Sequence, residues 1–319
     1  MKPAPFAWHG PTSVASAVAT LAELAASGAH AKVLAGGQSL VPVLAMRLAE
    51  PDHLVDINGI AELDFVRVSA GGEAAGVTVG ALARHATVQR HAEANRVQPL
   101  LGQALDLVAH ATIRNRGTTV GSLAHADPSG EMTAVLALTG GSVTAASVRG
   151  ERVIPAAEFF VGPLESSLAE DELAVSAFFP AAPAGSGTAF VEMARRHGDY
   201  ALAGVGAIVT AAEGSGGPVT VRCGFLSVSE TPLVLDLTEA WAAGTDATMT
   251  AAREAIDPGD DIHATADYRR HLAGVLTVRA IRQALERIPG ASDAGASPAA
   301  RSDAGVAAAG PASVGRSEP

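Results

Sequence analysis

Ala35-Gly36-Gly37-Gln38-Ser39-Leu40 is the stretch on which the fold turns. Before it, Lys32-Val33-Leu34-Ala35 reads as a short buried strand. After it, Leu40 to Leu48 has helical character, with Pro42 in the first turn. Two glycines between a strand and a helix allow positive φ and close backbone approach, and successive amides at a helix entrance make an anion nest. The segment is therefore either a phosphate or pyrophosphate cradle or an ordinary strand-to-helix turn; the GxGxxG pattern that would decide the matter is absent. Upstream, Thr12-Ser13 opens a helical stripe of Val14, Val18, Leu21 and Leu24 that Gly28 closes. Downstream, His53 to Ile57 is another strand, so a small α/β unit ends near Asn58-Gly59.

A second segment has similar chemistry. In Arg114-Asn115-Arg116-Gly117-Thr118-Thr119-Val120-Gly121-Ser122-Leu123-Ala124-His125-Ala126-Asp127-Pro128, Gly117 and Gly121 flank hydroxyl side chains, and Asp127-Pro128 fits an N-cap and first position of the next helix. It reads as a hydroxyl-rich loop, or as a second surface for a polyanionic ligand. Two such segments suit a dinucleotide lying between subdomains better than one would. Around them, Val66 to Val68 and Val77 to Val79 flank Gly71-Gly72 as a hairpin. Helices are expected at Val88 to Glu93, Leu100 to Val108 and Met132 to Leu138, and strands at Val143 to Val148 and Leu173 to Phe179. Pro180 to Gly187 is the best internal boundary. Beyond it, Phe190 to Ala194, Val205 to Ala211 and Val219 to Val228 read as an antiparallel meander with a turn at Gly214 to Gly217, followed by helices, the clearest over Ala264 to Ile288. From Pro289 the composition turns to Ala, Gly, Ser and Pro, so 289–319 is expected to be a disordered tail.

Composition removes several function classes. The chain has 319 residues, 22 basic against 33 acidic, and a formal net charge of −11, which disfavours a nucleic-acid or anionic-membrane footprint. Lysine occurs only at Lys2 and Lys32, so no P-loop can be written. Cys223 is the single cysteine; a disulfide, a cysteine zinc site and an iron–sulfur cluster cannot be built from this chain. There is no apolar leader at Met1 to Phe6 and no membrane-length apolar run, so a cytoplasmic protein without a transmembrane segment is expected.

The remaining candidates read mostly as structural. His125-x-Asp127 lacks partners for a metal site; His85 and His91, six apart, are expected to be solvated; Arg114, Arg116, Arg195 and Arg196 suit surface pairs. Gly204-x-Gly206 only faintly matches a dinucleotide fingerprint, and Cys223 reads as an inert buried thiol. Tyr200, one of two tyrosines, is either core packing or a ring stacked on a planar cofactor. No catalytic nucleophile or acid/base pair stands out.

Taken together these segments resemble the flavoprotein (medium) subunits of molybdenum hydroxylases, the family of carbon monoxide dehydrogenase and of the flavin domain of xanthine dehydrogenase. Ala35 to Leu40 with Pro42 and Arg47 resembles its first FAD loop, and Ile113 to Pro128 its second. Gly198-Asp199-Tyr200-Ala201-Leu202 resembles a third signature, and Ala264 to Ala273 the C-terminal one. The resemblance implies an α+β chain: a two-subdomain FAD-binding fold (PCMH/VAO-like) followed by a C-terminal domain with a three-stranded antiparallel sheet and helices. The expected divisions are 1–58, 59–180 and 181–288. It also implies FAD between the first two parts. Val33, Leu34, Ala35, Gly36, Gly37, Gln38, Ser39 and Leu40 would hold the pyrophosphate from one side, and Thr118, Thr119, Val120, Gly121 and Ser122 from the other. Asp127 or Glu131 would reach the adenosine end, and Tyr200 would lie near the isoalloxazine. Val120 departs from the family's glycine pair, and a β-branched residue resists positive φ there. The implied task is electron relay: a large partner subunit oxidises substrate at a molybdenum cofactor, a small partner carries [2Fe-2S] clusters, and FAD delivers electrons to an acceptor. The alternatives are a self-contained FAD oxidoreductase, or a fold relative without redox function that serves in assembly.

Overall fold

The computed structural model describes residues 2–69, 71–72, 74–212 and 217–289. The N-terminal part runs β1 (Ala7–His9), α1 (Val14–Ala26), β2 (Ala31–Leu34), α2 (Leu40–Ala45) and β3 (His53–Asp56). Its three strands are parallel, in the order β1-β3-β2. Ser13 caps α1 in a reciprocal box with Ser16, the apolar stripe Ala17, Val18, Leu21 and Leu24 is buried, and Gly28 follows at φ +71°. Helix α2 is shorter than the sequence suggests because Arg47 adopts φ +57°, which ends it. Strand β1 escaped notice because its three residues are mostly exposed and carry no alternation.

The middle part is built on a five-stranded antiparallel sheet. It contains β4 (Val66–Ser69), β5 (Gly76–Gly80), α3 (His85–Arg90), α4 (Ala92–Val97), α5 (Pro99–Leu105), α6 (Ala111–Arg114), α7 (Thr119–His125) and α8 (Glu131–Thr139). Then come β6 (Ser142–Ser147), β7 (Gly150–Pro155), α9 (Ala156–Phe159), β8 (Phe160–Gly162), β9 (Glu165–Ser166) and β10 (Leu173–Pro180). The order is β4-β5-β10-β6-β7, with β8 and β9 forming a separate small ribbon.

Three local expectations change here. The helix expected at Val88 to Glu93 is two helices, broken at His91, whose ring accepts from the Ala94 amide at 3.2 Å and so starts α4. Thr118 to Ser122 is not a loop but the cap and first turn of α7. Asp127 does not cap α8; its Oδ1 accepts from the Ser129 amide at 2.8 Å in a local turn, and Gly130 is the capping residue.

The C-terminal part is a meander of β11 (Ser186–Ala194), β12 (Ala201–Ala211), β13 (Val219–Leu226) and the short β14 (Leu233–Asp236). Helices α10 (Thr238–Ala243), α11 (Thr245–Glu254) and α12 (Ala266–Glu286) follow. The three expected strands are thus joined by a fourth at the edge. Residues Gly214, Ser215 and Gly216 of the expected turn, and 290–319 of the expected tail, lie outside the described residues. One sheet face buries Val205, Val209, Val221 and Cys223 with Leu272, Leu276 and Ile281 of α12. The other face receives α8: a Cβ on Gly224 would stand 2.9 Å from Leu138 Cβ, and one on Gly206 3.1 Å from Leu138 Cδ2. The glycines of Gly204-x-Gly206 therefore serve helix–sheet packing, not a dinucleotide. Cys223 is fully buried, and burial pushes its thiol far above the ordinary range, so it is inert.

Candidate functional site: two amide-bearing segments and an acidic flank

The first segment leaves β2 and crosses the edge of the middle part. Val33, Leu34 and the residues through Leu40 are half-buried. A Cβ on Gly36 would fall onto the Arg116 carbonyl oxygen, with Gly117 Cα at 2.7 Å and Thr118 N at 2.9 Å, so the two segments touch backbone to backbone here. Gly37 sits at φ +69° and its carbonyl accepts from the Val41 amide at 3.0 Å. Gln38 Nε2 donates back to the Gly36 carbonyl at 2.9 Å, which closes the turn. Among the described residues, the amides of Gly36, Gly37, Gln38 and Ser39 reach no protein acceptor. Four successive free N–H groups are the donors that an oxyanion nest requires.

The second segment is ordered by capping. Thr118 Oγ1 accepts from the Gly121 amide at 3.2 Å, and the Ser122 amide bonds the Thr118 carbonyl at 3.0 Å. The Thr119 amide is taken by the Ala83 carbonyl and its hydroxyl meets His85 Nδ1 at 3.2 Å, so Thr119 faces inward and offers a ligand nothing. The Val120 amide is left without a protein acceptor among the described residues. Val120 lies in helical backbone and its side chain is 1 % exposed, so no positive φ is required there. The glycine that the resemblance leads one to expect is replaceable, because the position is part of a helix and not of an irregular loop. His85 is not solvated, as its spacing suggested. It is buried against Gly117, and burial with the nearby Arg114 charge lowers it to about 4, so it is neutral at pH 7.

Two residues that drew no attention in the sequence tie the segments together. Asn58 Nδ2 donates to the Ala35 carbonyl at 2.8 Å, and Arg84 donates to Asn58 Oδ1 and to the Arg116 carbonyl, both at 2.8 Å. The only hint in sequence was that Asn58 lies in the short turn just after β3, beside the strand that leads into the first segment.

An acidic flank completes the arrangement. Tyr200 is 63 % exposed, so it is not core packing. Its hydroxyl lies within reach of Ser39, and crowding together with Asp127 and Glu131 pushes it above the ordinary tyrosine value. The loop that presents it is braced: Gly198, at φ +88°, lies against the His110 ring, and His110 and His197 meet edge to face with centroids 5.9 Å apart. Arg196 pairs with Asp199 in the same loop. Glu131, 8 % exposed, is raised to about 7 chiefly by burial and then by Asp127. Glu192 on β11, absent from the sequence-based candidates, is raised to about 8 by burial and by the Glu131 charge. No group of three or more His, Cys, Asp or Glu suited to a metal occurs among the described residues.

Residues 4–182 match the model of the FAD binding domain in molybdopterin dehydrogenase, and residues 188–284 that of the CO dehydrogenase flavoprotein C-terminal domain. The chain belongs to the FAD-binding medium subunits of the molybdenum hydroxylases. It is 38 % identical to the 6-hydroxypseudooxynicotine dehydrogenase complex subunit alpha of Paenarthrobacter nicotinovorans, over 90 % of this chain and 97 % of that one. It is 34 % identical to the carbon monoxide dehydrogenase medium chain of Hydrogenophaga pseudoflava, over 90 % and 99 %. Carbon monoxide dehydrogenase from that organism superposes with a TM-score of 0.81, covering 90 % of this chain and 100 % of the other, at 34 % identity. Quinoline 2-oxidoreductase from Pseudomonas putida 86 gives the same TM-score at 33 % identity, covering 90 % and 99 %. This flavoprotein subunit is thus part of an oxidoreductase with FAD as its cofactor. Its residues fit that cofactor: four successive amides without a protein acceptor offer donors of the kind a diphosphate takes.

Proposed function

We propose that this chain is the flavin relay of a three-subunit molybdenum hydroxylase. Electrons would arrive from [2Fe-2S] clusters of a small partner subunit, after substrate oxidation at the molybdenum cofactor of a large one, and leave to an external acceptor. When bound, FAD supplies the exchange between single-electron donors and an acceptor. The amides of Gly36 to Ser39 bind the pyrophosphate from one side and the Val120 amide from the other. Arg84 and Asn58 hold the two sides at a fixed spacing, Tyr200 covers the site from the C-terminal part, and Asp127 or Glu131 takes the adenosine hydroxyls. The chain is proposed to work as three parts, 1–58, 59–180 and 181–288, and to reside in the cytoplasm; no described helix is long and apolar enough to cross a membrane. The single cysteine supports partner-borne clusters, since this chain cannot ligate them itself.

The observation that carries the proposal is the row of four unpaired amides at Gly36 to Ser39, set against the capped helix start at Thr118. The test is to purify the chain with whatever co-elutes, release the chromophore by denaturation and identify it. FAD accompanied by an iron–sulfur chain and a molybdenum chain is expected. FAD with no partner would replace the relay by a self-contained flavoenzyme, and no flavin after incubation with FAD would overturn the site.

A further inference from the structure

Glu131 and Glu192 come from different parts of the chain: Glu131 opens α8, and Glu192 lies on the face of the C-terminal sheet that α8 covers. Glu192 stands opposite Gly204 in the β11–β12 pair, and a Cβ on Gly204 would be 3.2 Å from Glu192 Cβ. The face it shares with Phe190 and Gly206 is the one that Leu138, near the end of α8, covers. Glu131 is the first residue of that helix and so stands at the Glu192 end of the crossing. The Ser227 amide donates to the Pro128 carbonyl at 2.9 Å, which pins the end of β13 to the Asp127–Gly130 turn.

No cation answers these two carboxyls among the described residues. Arg269 on α12 is taken by the Leu202 and Ser227 carbonyls and by Asp261, Arg196 pairs with Asp199, and Arg195 faces His263. The other titratable groups that reach these carboxyls are Asp127 and Tyr200. Glu192 Oε2 is buried without any hydrogen-bond partner, and no bond from another residue reaches the Glu131 carboxyl. Two such groups cannot both be ionised cheaply in so dry a seam.

We propose that Glu131 and Glu192 together retain one proton on the protein side of the FAD site, and that FAD binding depends on this proton. The inference rests on the FAD reading of the site. With the proton in place, the seam presents a carboxylic acid O–H as a donor and one negative charge. Without it, two carboxylates and Asp127 stand beside a ligand that already carries a dianionic diphosphate. The raised values of both glutamates put the loss of the proton above neutral pH, so affinity is held at low pH and lost as pH rises.

The test uses the full chain freed of flavin and titrated with FAD between pH 6.5 and 9, with quenching of flavin fluorescence as the readout. The wild-type dissociation constant should weaken by about tenfold across that range, the amount expected when one proton is linked to binding over one pH unit. Glu192→Gln keeps the shape and cannot ionise; its affinity should stay within about threefold of the wild type at pH 6.5 and, because only Glu131 then titrates, near 7, should be flat above about pH 8, where the wild type still weakens. Glu131→Gln removes the charge that helps to raise Glu192, so the fall in affinity should move to lower pH; this variant serves if the first does not fold, and is read from the position of the slope and not from absolute affinity, because Glu131 is also proposed to meet the adenosine hydroxyls. A pH-independent wild type, or a Glu192→Gln variant whose affinity still falls above about pH 8 as the wild type's does, overturns the proposal. Those outcomes leave FAD binding itself intact, whereas a wild-type chain that binds no FAD at any pH sinks the FAD reading instead.

Discussion

The segments Gly36 to Ser39 and Thr118 to Ser122 look alike in sequence, each a short run of glycines and polar residues before an apolar helix, yet they are ordered by different physics. The first holds its shape through what glycine permits: Gly37 at φ +69°, and Gly36 so close to Arg116 and Gly117 that no side chain fits. Its amides stay unpaired because the turn is closed by a side chain, Gln38, and by Val41, not by its own N–H groups. The second holds its shape through capping. Thr118 and the Ala83 carbonyl take up the Thr119, Gly121 and Ser122 amides, and among the described residues those of Thr118 and Val120 stay without a protein acceptor. The first segment is therefore intolerant of any side chain at its glycines. The second tolerates a β-branched residue where a glycine was expected.

That contrast can be broken by mutation. Gly36→Val should abolish flavin retention, because the added side chain pushes the two segments apart; the ratio of released flavin to protein measures it, and a normal ratio would refute the assignment of the first segment. The next largest effect is on pH. His85, beneath the second segment, is held neutral with its value lowered to about 4, while an unfolded histidine binds its proton near 6.5. The unfolded chain thus takes up more protons between those values. The His85 contribution should be constant above about pH 6.5 and fall by about 3 kcal/mol on acidification to pH 4, read as the difference in stability between the wild type and His85→Gln at each pH, since the raised Glu131 and Glu192 carboxyls move the total in the opposite direction. Val120→Gly, which restores the expected glycine, should cost about 2 kcal/mol through lost burial and helix propensity. Flavin affinity should not improve; a clear gain would mean that the residue is not helical in the bound state. Thr118→Ala should be mildest, about 1 kcal/mol of stability through the lost cap, with flavin content little changed.

Much of the architecture was legible because it is written in local patterns. The stripe of Val18, Leu21 and Leu24, the strand leading to Gly36, the hairpin about Gly71-Gly72 and the break after Pro180 all depend on near neighbours. Errors arose where local signals competed. His91 splits a helix by accepting a backbone bond, and Asp127 spends its carboxylate on its own turn instead of on α8. Exposed elements such as β1 and β7 left no alternation to read.

The sequence by itself determined that this chain has two segments able to offer amides and hydroxyls to a polyanion, and that it has too few cysteines to hold a cluster. Only the tertiary structure decided which amides remain free and which residues hold the segments together. It also decided which acids lose their water. Asn58 meets Ala35, Arg84 meets Arg116, His85 lies under Thr119, and Glu192 approaches Glu131, each pair brought together from at least 23 residues apart. The physical reason is that desolvation and unpaired backbone groups are properties of the packed surroundings, and those surroundings are assembled from distant parts of the chain.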